Sequence, residues 1–486
     1  MLFNSLLFLV FFLLVTSGYY LLPKSTRWIW LLAASCYFYM YFKPEYILII
    51  LFTIVVDYIA GILIEKAEGR VRKVFLLASI ITNVGVLAFY KYFNFFAENI
   101  NHFSGHFNGP QIKLLNFILP IGLSFHTFQA MSYTIEVYKG NQKAERHFGL
   151  YALYVMFYPQ MVAGPIERPQ QLLPQLKKLK PFNNKTFVSG IFLMLVGLFK
   201  KAVVADRLGL YVDPVFSNPR GHSALDLLLA TYFFAFQIYC DFSGYTDIAI
   251  GAALTLGVEL IRNFNMPYLS VNISEFWKRW HISLSTWFRD YVYIPLGGNR
   301  VSKFMWGRNI LIVFVLSGAW HGANWTFLIW GLLHGVFMIG ERSFGNNKRT
   351  HHRPLGWPAI FLRRLWVFSL VTFAWIFFRS QNLRHANWIV RHLFVGIPGQ
   401  VREIAANLHF ARLRLLYLGQ SLNELIIALA VLGLLMSIQF AQHDQPIDKW
   451  LEARPRLLRW TFYYGIPLTF ISLGIFNRSE FIYFQF

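Results

Sequence analysis

Charge and cysteine are both scarce in this chain. Charged residues make up 14% of its 486 residues, whereas soluble domains carry about a quarter. The two cysteines, Cys36 and Cys240, give neither a disulfide framework nor the spacing of a zinc knuckle. The sequence also has no P-loop, G-x-G-x-x-G, G-x-S-x-G or H-E-x-x-H motif and no internal repeat. Nothing in it therefore supports an ATP-driven pump, a serine hydrolase or an inverted-repeat transporter.

Apolar residues replace the missing charge. They make up 56% of the chain and recur from Leu2 to Phe486 instead of gathering in one core-forming stretch. An apolar run of about 20 residues crosses a bilayer as a helix, and the alternative in lipid is a closed barrel. Because the runs are long and lack a two-residue alternation, we predict an all-α integral membrane protein of about eleven to thirteen helices. It would form a single domain, 1–486. The candidate spans are roughly 2–22, 28–42, 45–64, 74–96, 112–136, 148–164, 187–205, 224–240, 244–261, 309–338, 358–378, 423–441 and 459–476.

The charge that is present is strongly basic, with 45 Lys and Arg against 23 Asp and Glu. It lies in short clusters between apolar runs, which indicates a positive-inside orientation in a lipid bilayer and no nucleic-acid partner. This rule places four loops on the cytoplasmic side: 65–73, 139–147, 167–185 and 342–357. Two of them, 139–147 and 167–185, flank one candidate span, 148–164. Both can be cytoplasmic only if that span is re-entrant or interfacial. The prolines of 167–185 also exclude one uninterrupted helix there.

The segment NISEFWKRWHISLSTWFRDYVYIPLGGNR (272–300) combines aromatic and basic residues. Trp277, Trp280 and Trp287 are spaced to lie near one face of a helix. The mixture predicts an interfacial or partly inserted helix, with its rings at headgroup level and its charges reaching water. His281 lies inside it. One interpretation is an amphipathic anchor without chemistry, and the other is a catalytic segment.

A second histidine, His321, lies in the apolar stretch VLSGAWHGANWTFLIWGLLHG (315–335). Histidine within a membrane span is costly and usually faces a cavity or a partner. A neutral imidazole can accept the proton of an attacking hydroxyl near pH 7, which O-acyl transfer requires. Gly318 and Gly322 lack side chains, so a substrate could approach the backbone closely there. The span 309–338 would form either one tilted helix or two short segments hinged near these glycines. An interhelical hydrogen bond is the alternative role for His321.

Four other histidines are weaker candidates. We interpret His334 and His126 as structural. His102 and His106 have the spacing of paired metal ligands, but they lie in a predicted loop without a neighbouring carboxylate, so we predict no metal site.

Three acidic residues lie in or at the edge of apolar runs. We expect structural pairing for Asp57 and Asp247, and Asp241 in YCDFSGYTDIAIG (239–251) is open between structure and function.

The two histidine motifs together, WKRWHISLSTWFRDYVYIPLGGNR and SGAWHGANW, resemble the membrane-bound O-acyltransferase (MBOAT) family. The similarity is strongest to the branch of bacterial alginate O-acetyltransferases, with teichoic acid D-alanyl transferases as cousins. It covers about 85–340 and the FIYFQF motif at 481–486. Further matching motifs are FYPQMVAGPIERPQQLLPQL (157–176), YCDFSGYTDIAIGAALTLG (239–257) and NFNMPY (263–268).

The resemblance implies a helical bundle around a central funnel or tunnel. It makes His321 the family's characteristic histidine, and His281 matches a second upstream position that is usually His or Asn. It further implies a cytoplasmic acyl donor and an acceptor outside, often a partner protein that then modifies a polysaccharide. The expected location is the inner membrane of a bacterium.

From these residues we predict that His321 acts as general base or positions the acceptor. His281 would orient the thioester or stabilise the oxyanion. Trp320 and Asn324 would shape the substrate site, and Asp241 would hold the tautomer of one histidine. The donor would be acetyl coenzyme A or an acyl carrier protein, attracted by the basic face, with no tightly bound cofactor.

Two alternatives stay open. A transporter or scaffold of a polysaccharide export complex would also have intramembrane histidines and a basic face. A D-alanyl transferase would share the family's motifs. The acceptor is open between peptidoglycan and a secreted exopolysaccharide such as alginate or cellulose.

Overall fold

The fold is known from a computed structural model, which describes residues 1–107, 109–116, 119–344, 356–406, 418, 420–442, 445–476 and 481–482. These residues are mainly helical and contain no strand. Most of the predicted loop 342–357, and residues 483–486 of the FIYFQF motif, lie outside the described residues. Two compact units are present, the first formed by Met1–Gly197 with Tyr245–Arg262, the second by Leu198–Gly244 with Asn263–Phe486. The prediction of a single domain stays a prediction.

The first unit begins with eight helices that pack mainly against their neighbours in sequence. The Ser5 side chain caps the first of them by accepting the Phe8 N–H at 3.1 Å. Their bounds are α1 Leu6–Leu21, α2 Arg27–Met40, α3 Tyr46–Lys66, α4 Gly69–Gly105, α5 Leu123–Lys139, α6 Phe148–Met156, α7 Pro169–Lys177 and α8 Asn184–Leu198.

The second unit opens on a π-helical turn, Phe199–Ala205, and holds both predicted catalytic histidines. The helices that follow are α9 Asp206–Ser217, α10 Ala224–Thr255, α11 Ile273–Arg279, α12 Ile282–Phe288, α13 Lys303–His321, α14 Trp325–Phe344, α15 Trp357–Arg379, α16 Leu383–His392, α17 Ile397–Ala406, α18 Leu422–Gln442, α19 Ile447–Glu452 and α20 Arg456–Leu473. From Tyr245 onward, α10 belongs to the first unit. Helices α13, α14 and α15 pack in succession and surround the site.

Six helical stretches of the described chain are long and apolar enough to cross a membrane. They are Tyr46–Lys66, Gly69–Gly105, Asn184–Ser217, Ala224–Thr255, Trp357–Arg379 and Leu422–Gln442. Helix α3 exposes Leu48, Phe52 and Ile59, as a helix facing lipid does. The predicted class, an all-α membrane protein, is confirmed. The candidate spans 224–240 and 244–261 lie largely in one helix, Ala224–Thr255, and the other candidate spans coincide with helices that are shorter, more polar or interrupted.

The bounds of the helices decide between the alternatives that the sequence left open for two candidate spans, 148–164 and 309–338. Within 148–164, α6 has nine residues and spans about 14 Å, which is too short for a hydrocarbon layer of about 30 Å. The flanking loops 139–147 and 167–185 can therefore lie on one side. The span 309–338 forms two helices that break at Gly322. Segment 167–185 is interrupted as predicted, because α7 ends at Lys177.

Candidate functional site

The segment 272–300 forms two short α-helices, the second of which continues into a π-helical turn, Arg289–Tyr293, where the pattern predicted one interfacial or partly inserted helix. Helix α11 ends at Arg279, α12 begins at Ile282, and the break falls at His281. His281 has φ 44° and ψ 55°, a left-handed conformation that a right-handed helix cannot continue through. Such backbone strain in a residue other than glycine is concentrated at functional sites.

The tryptophans of this segment are buried among other side chains of the protein. Trp277, Trp280 and Trp287 are 8%, 1% and 5% exposed. Trp280 stacks on Phe276 within the aromatic core of the second unit. The aromatic residues thus build the wall of a site, and the anchor interpretation loses its physical basis.

Asn263 holds the His281 turn from both its backbone and its side chain. Its carbonyl oxygen accepts the Ile282 N–H at 2.9 Å. Its Oδ1 accepts the Ser283 N–H at 3.0 Å and the Ser283 hydroxyl at 2.8 Å, and lies 3.2 Å from His281 Nδ1. Asn263 is 1% exposed, so this cradle is fully inside the protein.

The same contacts indicate how the His281 ring is protonated. A backbone N–H can only donate, so the Asn263 atom facing Ser283 N is the amide oxygen. An amide oxygen only accepts, so His281 Nδ1 carries its hydrogen toward Asn263. The lone pair of the neutral ring is then on Nε2, which is the atom suited to accept a proton or a hydrogen bond.

Trp320 brings the two histidine motifs together. Its indole ring lies 4.9 Å from the His321 ring and 6.0 Å from the His281 ring, between ring centroids, and meets both edge to face. All three side chains are at most 5% exposed. The two histidines predicted from separate motifs therefore contact one indole.

His321 is the last residue of α13, in an aromatic cage. Its ring packs edge to face on Trp330 of α14, at 4.9 Å between centroids, and on Phe378 of α15, at 5.3 Å. The His281 ring in turn lies 4.8 Å from the Phe242 ring of α10. Rings on all sides exclude bulk water and fix the imidazole planes, which suits a group that must meet a substrate in one orientation.

Asn324 makes two hydrogen bonds that connect the turn after His321 to Thr326 and Gln381. Its Oδ1 accepts the Thr326 N–H at 3.0 Å at the start of α14, and its Nδ2 donates to the Gln381 carbonyl at 2.9 Å. Both polar atoms are thus used in holding the turn after His321. A role in shaping the substrate site stays a prediction.

Asp241 is buried on α10, and its two oxygens have defined partners. Oδ1 lies 2.7 Å from Lys201 Nζ, and Oδ2 accepts the Ile482 N–H at 2.8 Å. The neighbour of His281 Nδ1 is Asn263. Asp241 is adjacent in sequence to Phe242, which packs on His281. The predicted tautomer role of Asp241 stays a prediction.

The glycines near His321 do not offer the open backbone that the sequence suggests. A Cβ atom at Gly318 would lie 2.3 Å from the Phe327 carbonyl oxygen, and one at Gly322 would lie 2.1 Å from the Phe327 ring. At Gly331, it would lie 2.2 Å from the Phe314 carbonyl oxygen. These glycines allow α13 and α14 to approach closely, so the space beside them is filled by the protein.

Two further histidines are buried, and one of them, His334, packs on the same Trp330 ring as His321. His334 is buried among Phe276, Trp277 and Trp330. In the first unit, His126 packs on Tyr39. Neither ring has a hydrogen-bond partner within the described part of the chain.

His102 and His106 lie at the end of α4 rather than in a loop, and their rings meet at 4.9 Å. The described residues contain no cluster of three or more His, Cys, Asp or Glu side chains able to hold a metal ion. Asp57 accepts from Ser79 Oγ at 2.6 Å and Asn83 Nδ2 at 2.9 Å.

Two buried polar residues of the site were missed from the sequence. Asn263 opens the motif NFNMPY, so the resemblance marked its position without giving it a role. Lys201 lies in the candidate span 187–205, directly after another lysine, and no role was predicted for it from the sequence. Only the fold shows that it is 1% exposed.

The helices and the site define a membrane-embedded protein with two buried histidines on one shared indole. Residues 147–378, which contain both histidines, match the family model MBOAT, membrane-bound O-acyltransferase family. The peptidoglycan O-acetyltransferase of Helicobacter pylori is 36% identical over 82% of this chain and 80% of its own length. The probable alginate O-acetylase AlgI of Pseudomonas aeruginosa is 37% identical over 92% and 83%.

A more distant relative is the teichoic acid D-alanyltransferase of Bacillus subtilis, which is 29% identical over 57% of this chain and 72% of its own length. The chain belongs to the membrane-bound O-acyltransferase family. It is a multi-pass membrane protein and an O-acyltransferase, as predicted, and its reaction requires an acyl donor.

Proposed function

We propose that this chain transfers an acetyl group from a cytoplasmic donor to an extracytoplasmic polysaccharide, directly or through a partner protein, in the inner membrane of a bacterium. The observation that carries the proposal is the pair of buried histidines, His281 and His321, whose rings both contact Trp320. One histidine can serve the acceptor and the other the donor, since both rings border the same indole.

In the proposed reaction His321 is the general base. It takes the proton of the acceptor hydroxyl as that oxygen attacks the acyl carbon of the donor thioester. The new C–O ester bond forms, the C–S bond breaks, and the proton passes from His321 to the departing thiolate. The cage of Trp330 and Phe378 supports this role, because it keeps water from competing for the acyl group.

His281 orients one reactant through Nε2. The contact of Nδ1 with Asn263 favours the tautomer in which Nε2 accepts, so a hydroxyl or amide N–H of a bound molecule is the matching partner. Stabilising an oxyanion would need a hydrogen on Nε2, which this tautomer lacks. We therefore favour the orienting role of His281 over the oxyanion role. Trp320 and Asn324 complete the substrate site, and Asp241 supports it from α10.

Buried indole donors suit the carbonyl oxygens of the acyl donor. Trp330 Nε1 and Trp375 Nε1 have no hydrogen-bond partner within the described residues, and both side chains are 0% exposed. A buried N–H left unpaired costs about 1–3 kcal/mol. We propose that a carbonyl oxygen of the thioester, or of the arm of an acyl carrier, accepts a hydrogen bond from the Trp330 or Trp375 indole N–H beside His321.

The acetyl group is favoured over D-alanine by the comparisons. The relatives named as O-acetylating enzymes match 82% and 92% of the chain at 36% and 37% identity. The D-alanyltransferase matches 57% at 29%. Among acceptors we propose a cell-surface polysaccharide hydroxyl, with alginate-like and peptidoglycan polymers as the two classes that the relatives' names suggest.

The donor is proposed to be acetyl coenzyme A or an acyl carrier protein. Both are anionic, and the basic segments 65–73, 139–147 and 167–185 would attract them to one face. A non-catalytic role in polysaccharide export would leave the buried, oriented histidines without a chemical purpose.

The test measures ester-linked acetate and D-alanine released from surface polymer, with His321→Ala compared with wild type at equal membrane abundance. We expect acetate to fall by about 10²–10⁴-fold, the contribution of a general base. His126→Ala is the matched control, because it removes a buried histidine from the first unit. Unchanged acetate in His321→Ala would overturn the base assignment, and loss of D-alanine instead of acetate would change the acyl group.

A further inference from the structure

A buried ion cluster joins the π-helical turn and α9 to Asp241 of α10, the residue before Phe242, which packs against His281. Lys201 Nζ is 2.8 Å from Asp206 Oδ1 and 2.7 Å from Asp241 Oδ1. The three side chains are 1%, 6% and 2% exposed. Buried charges persist only when they are paired and hydrogen-bonded. One ammonium shared by two carboxylates needs further donors.

One further donor comes from the far end of the sequence. The Ile482 N–H donates to Asp241 Oδ2 at 2.8 Å. Lys201 Nζ lies 4.6 Å from the centroid of the Phe481 ring, over its face. Phe481 and Ile482 are 1% and 6% exposed. The ion cluster therefore binds this dipeptide through its backbone and through a ring.

Residues shortly before this dipeptide are attached to the same part of the chain. The Ile475 N–H donates to the Ala202 carbonyl at 3.0 Å, within the π-helical turn. Arg207 Nη2 donates to the Leu473 carbonyl at 2.6 Å, and Arg207 is ion-paired with Glu424. Lys201, Ala202, Arg207 and Asp241 thus contact Leu473, Ile475, Phe481 and Ile482. Turns of π-helix are frequently found at functional sites.

The attachment point on α10 is next to the residues that support His281. Phe242 packs edge to face on the His281 ring at 4.8 Å, and Tyr239 lies 6.3 Å from the Trp280 ring. Asp241 lies between these two aromatic residues in the sequence. A shift of α10 at Asp241 would move both of its contacts with the histidine turn.

We propose that Lys201 and Asp241 are positioning residues that clamp Phe481–Ile482 to α10 and so keep the Phe242 wall against His281 during acyl transfer. The activity part of this proposal rests on the proposed function. The clamp itself is a structural claim that can be measured without any acyl transfer, so failure of one can be told from failure of the other.

The clamp is tested by cysteine labelling of the full-length protein in membranes. Ile482→Cys is introduced with Cys36→Ala and Cys240→Ala, and the rate of modification by a water-soluble maleimide is measured. Adding Lys201→Met should accelerate labelling by about tenfold or more, because two buried carboxylates then repel and release the dipeptide. Lys201→Arg keeps the charge and should stay within about threefold. Equal rates in all three proteins would overturn the clamp.

Its effect on the reaction is tested with a pair of variants at one position. Ile482→Pro has no N–H to donate to Asp241, whereas Ile482→Ala keeps that donor. We expect kcat for acyl transfer to fall by about tenfold or more in Ile482→Pro with the donor KM within about threefold, and little change in Ile482→Ala. Equal kcat in the two variants would overturn the positioning role. This pair leaves the side chains of Lys201, Asp206 and Asp241 unchanged, so the positioning role is tested even if Lys201→Met fails to accumulate.

Discussion

The two nitrogens of the His281 ring differ in their surroundings, because a residue outside the histidine motifs, Asn263, contacts Nδ1. Asn263 lies 18 positions earlier in the sequence, so its contact with Nδ1 exists only once the turn between α11 and α12 has formed. The histidines themselves were predictable, because a titratable ring in an apolar stretch is costly enough to indicate a purpose. The orientation of the His281 ring was not predictable from the sequence, since it depends on a contact that the fold creates.

Asn263→Ala is expected to reduce kcat by about 10- to 100-fold with a small change in donor KM, because His281 can then flip or change tautomer. Kinetics on membranes with equal protein abundance provide the measurement. Ser283→Ala is the control: it removes one donor to Asn263 Oδ1 and leaves the contact with His281 in place. If both variants lose activity equally, the Asn263 effect comes from the turn and not from the ring.

A pH effect on stability is expected at Glu167, in the segment before α7. Burial raises the pKa of Glu167 to about 8, and the Ile261 N–H, which donates to Oε1 at 2.7 Å, and Arg168 oppose the shift. The folded state then holds a proton that the unfolded chain, with a pKa near 4.5, releases. Stability is therefore greatest below pH 4.5 and is lost as pH rises toward 8.

Glu167→Gln imitates the protonated carboxyl and should remove this pH dependence. The measurement is the melting temperature of the detergent-solubilised protein between pH 6 and pH 9. Wild type should melt at a lower temperature at the higher pH, and the variant should change less. Parallel curves for the two proteins would show that Glu167 is not the group responsible.

Among the helices, the close pair α13 and α14 shows what local pattern can and cannot predict. The break near Gly322 was predicted as one of two options, because glycines mark hinges. The purpose of Gly318 was misread: its missing side chain admits the Phe327 carbonyl of α14, not a substrate. Spacing shows where a helix can bend, but the occupant of the space beside a glycine is determined by tertiary packing.

Gly318→Ala should therefore destabilise the protein by about 1–3 kcal/mol through overlap with the Phe327 backbone. Gly340→Ala in α14 is the matched control, since a Cβ there meets nothing within 4 Å and alanine favours the helix. Thermal melts of both variants give the comparison. A stable Gly318→Ala protein with lost activity would instead favour substrate approach at this position.

For the molecule as a whole, composition was sufficient to predict a helical membrane protein, because so few charged residues cannot cover a soluble surface. The number of crossings was harder to predict. Hydropathy counts apolar residues whether they face lipid or fill the interior, so stretches such as 148–164 look like spans although α6 has only nine residues.

The short α6 gives a prediction about membrane orientation. Cysteines placed at Lys143 and at Lys178, in a chain with Cys36→Ala and Cys240→Ala, should both react with an impermeant maleimide from the cytoplasmic side. Inside-out vesicles should label at both positions, and right-side-out vesicles at neither. Labelling from opposite sides would mean that the polypeptide crosses the bilayer between them.

The left-handed backbone at His281 limits which amino acids can replace it. With φ at 44°, β-branched side chains would be strongly disfavoured, whereas His, Asn and Asp are the residues other than glycine most often found there. The position that His281 matches in the resembling family is usually His or Asn. Stereochemistry thus offers a second reason for that choice, independent of hydrogen bonding. The left-handed backbone conformation of the turn by itself restricts which residues can occupy this position. Variants of this position should tolerate Asn better than Gln, although the two amides offer the substrate the same group.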